Sequence, residues 1–390
     1  MRRRKVRIYP YSSVVVYVTF QVTKLIVDKS SKLMYNRRSA KPNFATKHGY
    51  LMRLRFGCLF IGDKLKHNVK LLAILLILLL LLSACNPDGK IPEGEELGRE
   101  YYKMDIDNNY PIADTLEKVP AGTEARVIIL IGQSNATGCS LTSYLQKGVS
   151  EQKYDEFQGG YQNVLINFCL DNHRFTSGGE FVPVDLNCSA GEGYFGPELG
   201  IAEQLSTAFP NKQFFILKFS MSGFSLNYHW LYDYKPSYIY EAFKQFASTY
   251  LGYLASKGYA PKVDAICWMQ GESDTTDYKA SKYYQNTVAF VGYLRNDLAS
   301  YAPSGGIYFV DAGISSSPYC EPAYPQINSA KKRFAETSPL NVYFPTIEAG
   351  LTTLYEPESN PDLGHYDALS ELALGRLFGA ELLKIYQNKQ

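Results

Sequence analysis

The sequence predicts an α/β protein built on a parallel β-sheet with helices on both faces. Two observations carry that expectation. Strand-like apolar runs at 126–131, 213–219, 263–268, 306–311 and 341–346 alternate with helical stretches at 197–209, 237–257, 278–301, 323–338 and 366–388. Such alternation needs crossover connections, which make neighbouring strands parallel. The run Val127-Ile128-Ile129-Leu130-Ile131 is apolar at every position rather than at alternate ones, as expected of a strand buried on both faces. The pattern describes one domain from 124 to 388 without an internal repeat.

Before that domain the chain changes character. Residues 1–84 hold 17 Lys and Arg against two acids, whereas residues 85–390 hold 23 against 36. The net charge of +2 thus averages a basic leader and an acidic remainder. An acidic remainder lacks the basic surface that nucleic-acid binding requires. Residues 1–51 are basic and show neither helical period nor capping pattern. They read either as a misassigned start, with Met52 the natural beginning, or as a basic cytoplasmic extension. Residues 52–84 have the form of a signal peptide. After Lys70 come twelve apolar residues, 71–82, too few for a spanning helix of about 20 and within the signal-core range of about 7 to 15. Leu82-Ser83-Ala84-Cys85 resembles a bacterial lipobox, in which Cys85 is diacylated and begins the mature protein. The other reading is a plain signal anchor with an incidental cysteine. Lipid on Cys85 would hold the domain on a membrane of the bacterial cell envelope, on its periplasmic or outer side. Residues 86–123 are polar, acidic and proline-containing, a tether between anchor and domain.

Within the domain, the first strand stops at Gly132-Gln133-Ser134-Asn135. The glycine permits a sharp turn, and the serine is delivered to the edge where parallel sheets bind ligands. Taken alone this is an ordinary turn composition. Residues 140–196 interrupt the alternation with Gly-rich and strand-like segments, an excursion near the site. Cys169 and Cys188 end two strand-like runs there and are candidates for a bridge. Cys139, Cys169, Cys188, Cys267 and Cys320 are an odd set once Cys85 carries lipid, so at most two disulfides form. The last helix carries Leu369, Leu372, Leu377 and Leu383 among polar residues, an amphipathic stripe.

A nucleophilic serine needs a base, an orienting acid and donors for the oxyanion. Three histidines follow residue 85: His173, His229 and His365. Asp362-Leu363-Gly364-His365 places an acid three residues before His365, just ahead of the last helix, so that a carboxylate can reach Nδ1 and leave Nε2 for a serine. The strand 213–219 leads into Ser220-Met221-Ser222-Gly223, where the Gly223 N–H is a candidate oxyanion donor. The strand 263–268 leads into Met269-Gln270-Gly271-Glu272-Ser273-Asp274, whose Gln270 amide is a second. Glu272 accepts only when ionised and is assigned to ordering these loops. Glu198 either caps its own helix or orders the serine loop. No histidine pair has metal-ligand spacing, so neither metal nor other cofactor is expected. Tyr228, His229, Trp230, Tyr232 and Tyr234 follow the glycine loop. Of these, Tyr228 and Trp230 are the candidates for a sugar platform, with packing as the equal alternative.

Five motifs now stand in order: Gly132-Gln133-Ser134-Asn135, Phe195-Gly196-Pro197-Glu198, Gly223-Phe224-Ser225-Leu226 with Trp230, Gln270-Gly271-Glu272-Ser273-Asp274, and Asp362-Leu363-Gly364-His365. In this the chain resembles the SGNH hydrolases, in the branch of carbohydrate esterase family 6 and the sialate O-acetylesterase-like domains, over about 126–385. The resemblance implies a three-layer α/β/α, flavodoxin-like fold around a central parallel sheet. It implies a Ser134, Asp362, His365 triad with Ser134, Gly223 and Gln270 at the oxyanion, supported by Gln133, Asn135, Glu272 and Glu198. Three positions depart from the family pattern: Ala136 replaces a methionine, Met269 a histidine, and Ser222 the first of two glycines. The first two bear on the acyl pocket, and the third on Gly223 as a donor. The expected function is serine esterase removal of O-acetyl groups from carbohydrate, whether acetylated xylan, another glycan or O-acetyl sialic acid. The alternatives are a broad-specificity carboxylesterase on the same fold, or a surface glycan-binding lipoprotein without catalysis.

Overall fold

The computed structural model describes residues 105–387; the leader, Cys85 and the first part of the expected tether lie outside the described residues. Six strands form the body of the sheet: Thr123–Gly132 (β1), Tyr161–Leu170 (β2), Phe214–Ser220 (β3), Tyr259–Met269 (β4), Tyr308–Ala312 (β5) and Asn341–Phe344 (β6). Their order across the sheet is β6-β5-β4-β1-β3-β2, all parallel. Two short strands, Phe175–Thr176 and Val182–Val184, pair antiparallel with β2 at the edge. β1 lies in the middle, and Val127 through Ile131 are fully buried.

Five long helices cover the sheet: Glu198–Ala208 (α1), Tyr238–Ser256 (α2), Asp277–Asp297 (α3), Tyr324–Ala335 (α4) and Ala368–Gln387 (α5). The register assigns them to faces, because successive side chains along a strand point to opposite sides. Phe219, Ile131, Trp268 and Asp311 lie abreast. From that face Phe219 packs on Phe243 of α2, Trp268 on Phe290 of α3, and Asp311 pairs with Lys331 of α4. Ala312 and Phe344 lie abreast on the other face, where Phe344 meets Phe378 of α5. Phe214, five residues before Phe219, also points there and meets Tyr386 of α5. Helix α1 lies against α5 through glycines: a Cβ on Gly375 would stand 2.1 Å from the Pro197 carbonyl oxygen. The described domain is therefore a three-layer α/β/α structure.

The expected strands and helices are all present, within a few residues of their expected ends. β6 stops at Phe344, and the next residue, Pro345, has no N–H for a ladder. The segment 140–196 is more than an excursion. Its apolar half, from Val164, supplies β2, which extends the parallel sheet from Val164 opposite Phe214 to Leu170 opposite Ser220. The candidate bridge between Cys169 and Cys188 does not form; all five described cysteines are free thiols. Cys169 is held in β2 opposite Thr176, while Cys188 packs its Sγ 3.8 Å from the Pro183 carbonyl oxygen. The described end of the expected tether lies along the domain. Tyr110 is buried and stacks on His173 with ring centroids 5.1 Å apart, and Asp114 pairs with Lys257 at 2.5 Å.

Candidate active site

The carboxyl ends of β1, β3, β4, β5 and β6 each open into a loop, and four of these loops line one cavity of about 830 Å³. Ser134 comes from the turn after β1, Ser222 and Gly223 from the loop after β3, Tyr319 from the loop after β5, and Asp362 and His365 from the loop between β6 and α5. Convergence at this edge follows from the parallel order, since every crossover returns the chain to the same end of the sheet.

Ser134 opens a single helical turn, Ser134–Thr137. The turn is possible because Gly132 has φ +155° and no side chain: a Cβ there would lie 1.9 Å from the Met269 carbonyl oxygen. That same oxygen accepts the Gln133 N–H at 3.0 Å, fixing the turn against β4. Across the cavity, His365 Nδ1 donates to Asp362 Oδ2 at 2.6 Å. Burial works to raise the Asp362 carboxyl. The hydrogen bond and charge of His365, with the N–H groups of Gly364 and His365, outweigh it and hold the group below the usual carboxylate range. With Nδ1–H engaged, Nε2 is the basic nitrogen of the imidazole. Neither Ser134 Oγ nor His365 Nε2 has a hydrogen bond among the described residues, and both residues line the cavity.

Asn135 joins the serine turn to the histidine loop. Its Nδ2 donates to Glu272 Oε1 at 2.7 Å and to the Gly364 carbonyl at 3.3 Å, and its Oδ1 accepts the Tyr366 N–H at 3.2 Å. His365 is thus gripped on both sides in sequence by one side chain. Glu272 is buried, and burial raises its carboxyl above the usual range despite the opposing hydrogen bonds from its own N–H and the Asn135 amide. Gln133 orders the loop after β4 by accepting from the Ser273 N–H at 3.2 Å and from Gln270 Nε2 at 3.2 Å.

Gln270 is not brought to the cavity as an oxyanion donor. It is fully buried, and its Nε2 donates to Asp274 Oδ2 at 2.6 Å, to Gln133 Oε1 and to the Phe224 carbonyl at 3.3 Å. The amide is held in place by Tyr283, whose hydroxyl donates to its Oε1 at 3.0 Å. Both amide protons are committed, which leaves none for a ligand. Gln270 therefore ties the loop after β4 to the loop after β3. Asp274 completes that tie by accepting the N–H groups of Leu226 at 2.7 Å and Asn227 at 3.1 Å.

Trp230 is not a platform for a ligand either. It is fully buried among Phe219, Phe243, Trp268 and Phe290. Tyr228 is half-buried and lies outside the cavity lining. The aromatic at the cavity is Tyr319, which is 59% exposed. Its signal in the sequence was its place, in a loop that follows a strand at the binding edge. Glu198 is the first residue of α1, with its side chain turned into the core. Its Oε2 lies 2.5 Å from Lys218 Nζ, and both side chains are fully buried. Lys218 donates onward to the Thr137 carbonyl at 2.9 Å, so the pair supports the serine turn from behind. A lone lysine inside Phe214-Phe215-Ile216-Leu217-Lys218-Phe219 called for such a buried partner. Among the described residues no cluster of three or more His, Cys, Asp or Glu is arranged to hold a metal ion.

Comparison with known proteins places these features in context. The model of a family described as carbohydrate esterase, sialic acid-specific acetylesterase, matches residues 124–384. No curated protein matches the sequence. Among solved structures, NanS is 14% identical, with 69% of this chain and 100% of that chain covered and a TM-score of 0.47. A protein from Arabidopsis thaliana is 17% identical, with 66% and 98% covered and a TM-score of 0.46. A carbohydrate acetylesterase from Xanthomonas citri is 12% identical, with 66% and 55% covered and a TM-score of 0.42.

Proposed function

The chain belongs to the sialic acid-specific acetylesterase family of carbohydrate esterases and is a carboxylic ester hydrolase; from its cavity we propose that Ser134, His365 and Asp362 remove O-acetyl groups from a sugar through an acetyl-enzyme. The observation that carries this reading is the 2.6 Å bond from His365 Nδ1 to Asp362, on a cavity that Ser134 also lines. Ser134 Oγ attacks the acetyl carbonyl as His365 Nε2 takes its proton, and Asp362 holds the tautomer and stabilises the imidazolium. The N–H groups of Ser134 and Gly223 receive the developing oxyanion. Neither N–H is used in a hydrogen bond among the described residues, and the backbone of Gly223 is exposed at the cavity. Collapse expels the sugar oxygen, which takes the proton from His365, and leaves acetate esterified to Ser134. Water, deprotonated by the same imidazole, then releases acetate. Tyr319 offers a flat apolar face at the mouth of the cavity for a pyranose ring. In the cell the domain is held at the envelope by lipid on Cys85.

Acetate release from 4-nitrophenyl acetate and from O-acetylated glycans, by wild type and by Ser134→Ala, tests the reading. The wild type is expected to release acetate, and the variant to lose on the order of 10³-fold or more. Equal inertness of both proteins on every ester would sink it. Comparing acetylated xylan with O-acetyl sialic acid then identifies the glycan.

A further inference from the structure

The loop that carries Gly223 has a serine, Ser222, at the position where the resemblance leads one to expect a second glycine, and that serine is not idle. Its N–H donates to Asp171 Oδ1 at 2.7 Å and its Oγ donates to Asp171 Oδ2 at 3.0 Å. Both carboxylate oxygens are therefore spent on one residue of the neighbouring loop. Asp171 directly follows β2 and has φ +49°, and its N–H donates to the Ser220 carbonyl at 3.0 Å. The carboxylate is thus itself aimed by a backbone bond to the end of β3. The contact continues beyond Ser222. Ser222 Oγ lies 3.2 Å from Thr137 Oγ1, and Thr137 Oγ1 lies 2.7 Å from Ser220 Oγ. Thr137 closes the helical turn that Ser134 opens.

We propose that Asp171 is a positioning residue for the esterase reaction, fixing the Gly223 N–H relative to the Ser134 N–H through a hydrogen-bonded clamp on Ser222. Gly223 has φ +79° and nothing within 4 Å of where its Cβ would be, so no packing on that side holds the loop. Two backbone donors act together on an oxyanion only when their separation is held to a fraction of an ångström. Ser134 N–H is set by β1 and the turn; Gly223 N–H, one residue past Ser222, is set by Asp171. Replacing a glycine by serine here supplies the side-chain hydroxyl that the clamp uses. Charge-assisted bonds from a carboxylate make it stiffer than a neutral pair would be.

This inference rests on the proposed esterase function, and the experiment separates the two. The full-length protein, its Asp171→Ala, Asp171→Asn and Ser222→Ala variants are assayed on 4-nitrophenyl acetate, with active sites counted by a fluorophosphonate label on Ser134. Affinity for methylboronic acid, which forms a tetrahedral anionic adduct on the serine, is measured alongside. Asp171→Ala is expected to lower kcat per labelled site by about 10-fold or more with KM within twofold, and to weaken the boronate by a similar factor. Asp171→Asn keeps an acceptor for the Ser222 N–H and should recover most of that loss. Misfolding alone would lower the number of labelled sites, not kcat per site. If the wild type hydrolyses the ester and Asp171→Ala keeps its kcat per site and boronate affinity, the clamp has no catalytic part. If Asp171→Ala changes KM alone, Asp171 serves substrate binding and the proposal fails. A wild type that neither hydrolyses the ester nor binds the boronate removes the esterase reading itself.

Discussion

Trp230 and Tyr319 are both large aromatics near the loops of the site, and their surroundings give them opposite work. Trp230 is enclosed by rings from β3, β4, α2 and α3, whereas Tyr319 keeps more than half of its surface in solvent at the cavity. Substituting alanine therefore separates stability from binding. Trp230→Ala empties a closed part of the core and is expected to cost about 3–5 kcal/mol, read as a fall in unfolding midpoint in denaturant. Tyr319→Ala is expected to leave that midpoint in place and to raise KM for an acetylated oligosaccharide about fivefold, the equivalent of ~1 kcal/mol, with little change for 4-nitrophenyl acetate. An unchanged KM on the oligosaccharide would show that Tyr319 holds no sugar. The sequence could not separate these two residues, because the rings that enclose Trp230 come from four elements whose meeting is a property of the sheet order. An aromatic directly after a glycine loop looks the same whether it turns inward or out.

At the scale of elements, the loop after β3 is held by a short π-helix, Leu226–Trp230, of a kind that often marks functional segments. Asp274 accepts the first two N–H groups of that helix, and His229 closes it by accepting the Ser225 N–H at Nδ1, 2.9 Å away. His229 is buried, and burial, aided by the charge of Lys279, lowers its pKa to about 4. In the unfolded chain an imidazole titrates near 6.5. The folded state therefore refuses a proton that the unfolded state accepts, so the stability from His229 is complete above pH ~6.5 and is lost as pH falls toward ~4. The loss amounts to about 3 kcal/mol at most. Thermal unfolding from pH 7.5 to 4.5 should fall more steeply in the wild type than in His229→Asn, whose amide oxygen can replace Nδ1 as acceptor. Parallel curves would exclude His229 as a source of acid lability. The motif Gln270 to Asp274 announced a loop with chemistry, but its part in the structure is support. The amide of Gln270 is turned away from the cavity by Asp274 and Tyr283, partners that sequence spacing does not place beside it.

For the whole molecule, the alternation of apolar runs and helical stretches was enough to place every long helix and five of the six body strands, because burial on both faces writes itself into consecutive residues. β2 was harder to read, since its polar start at Gln162 and Asn163 and its position between glycine-rich stretches resemble a loop. The meeting of Ser134 with the Asp362/His365 pair on one cavity was legible because each follows or precedes an element directly. Asp171 was not legible, because nothing local distinguishes it, and Tyr319 showed only its place in a loop that follows a strand. The same contrast between local and distant signals applies to the leader, where the apolar run 71–82 and Leu82-Ser83-Ala84-Cys85 are contiguous in sequence. If Cys85 carries a diacylglycerol, two acyl chains anchor the protein stably, whereas one chain alone binds only marginally. Cells grown with an alkyne-bearing fatty acid should then label the wild-type protein and not Cys85→Ser, and the mature wild type should begin at Cys85 by mass. The substitution lies far in sequence from the loops that line the cavity, so activity per molecule on a soluble ester should be retained while membrane association is lost. An unlabelled wild type that still carries residues 71–82 would instead identify the run as an uncleaved anchor.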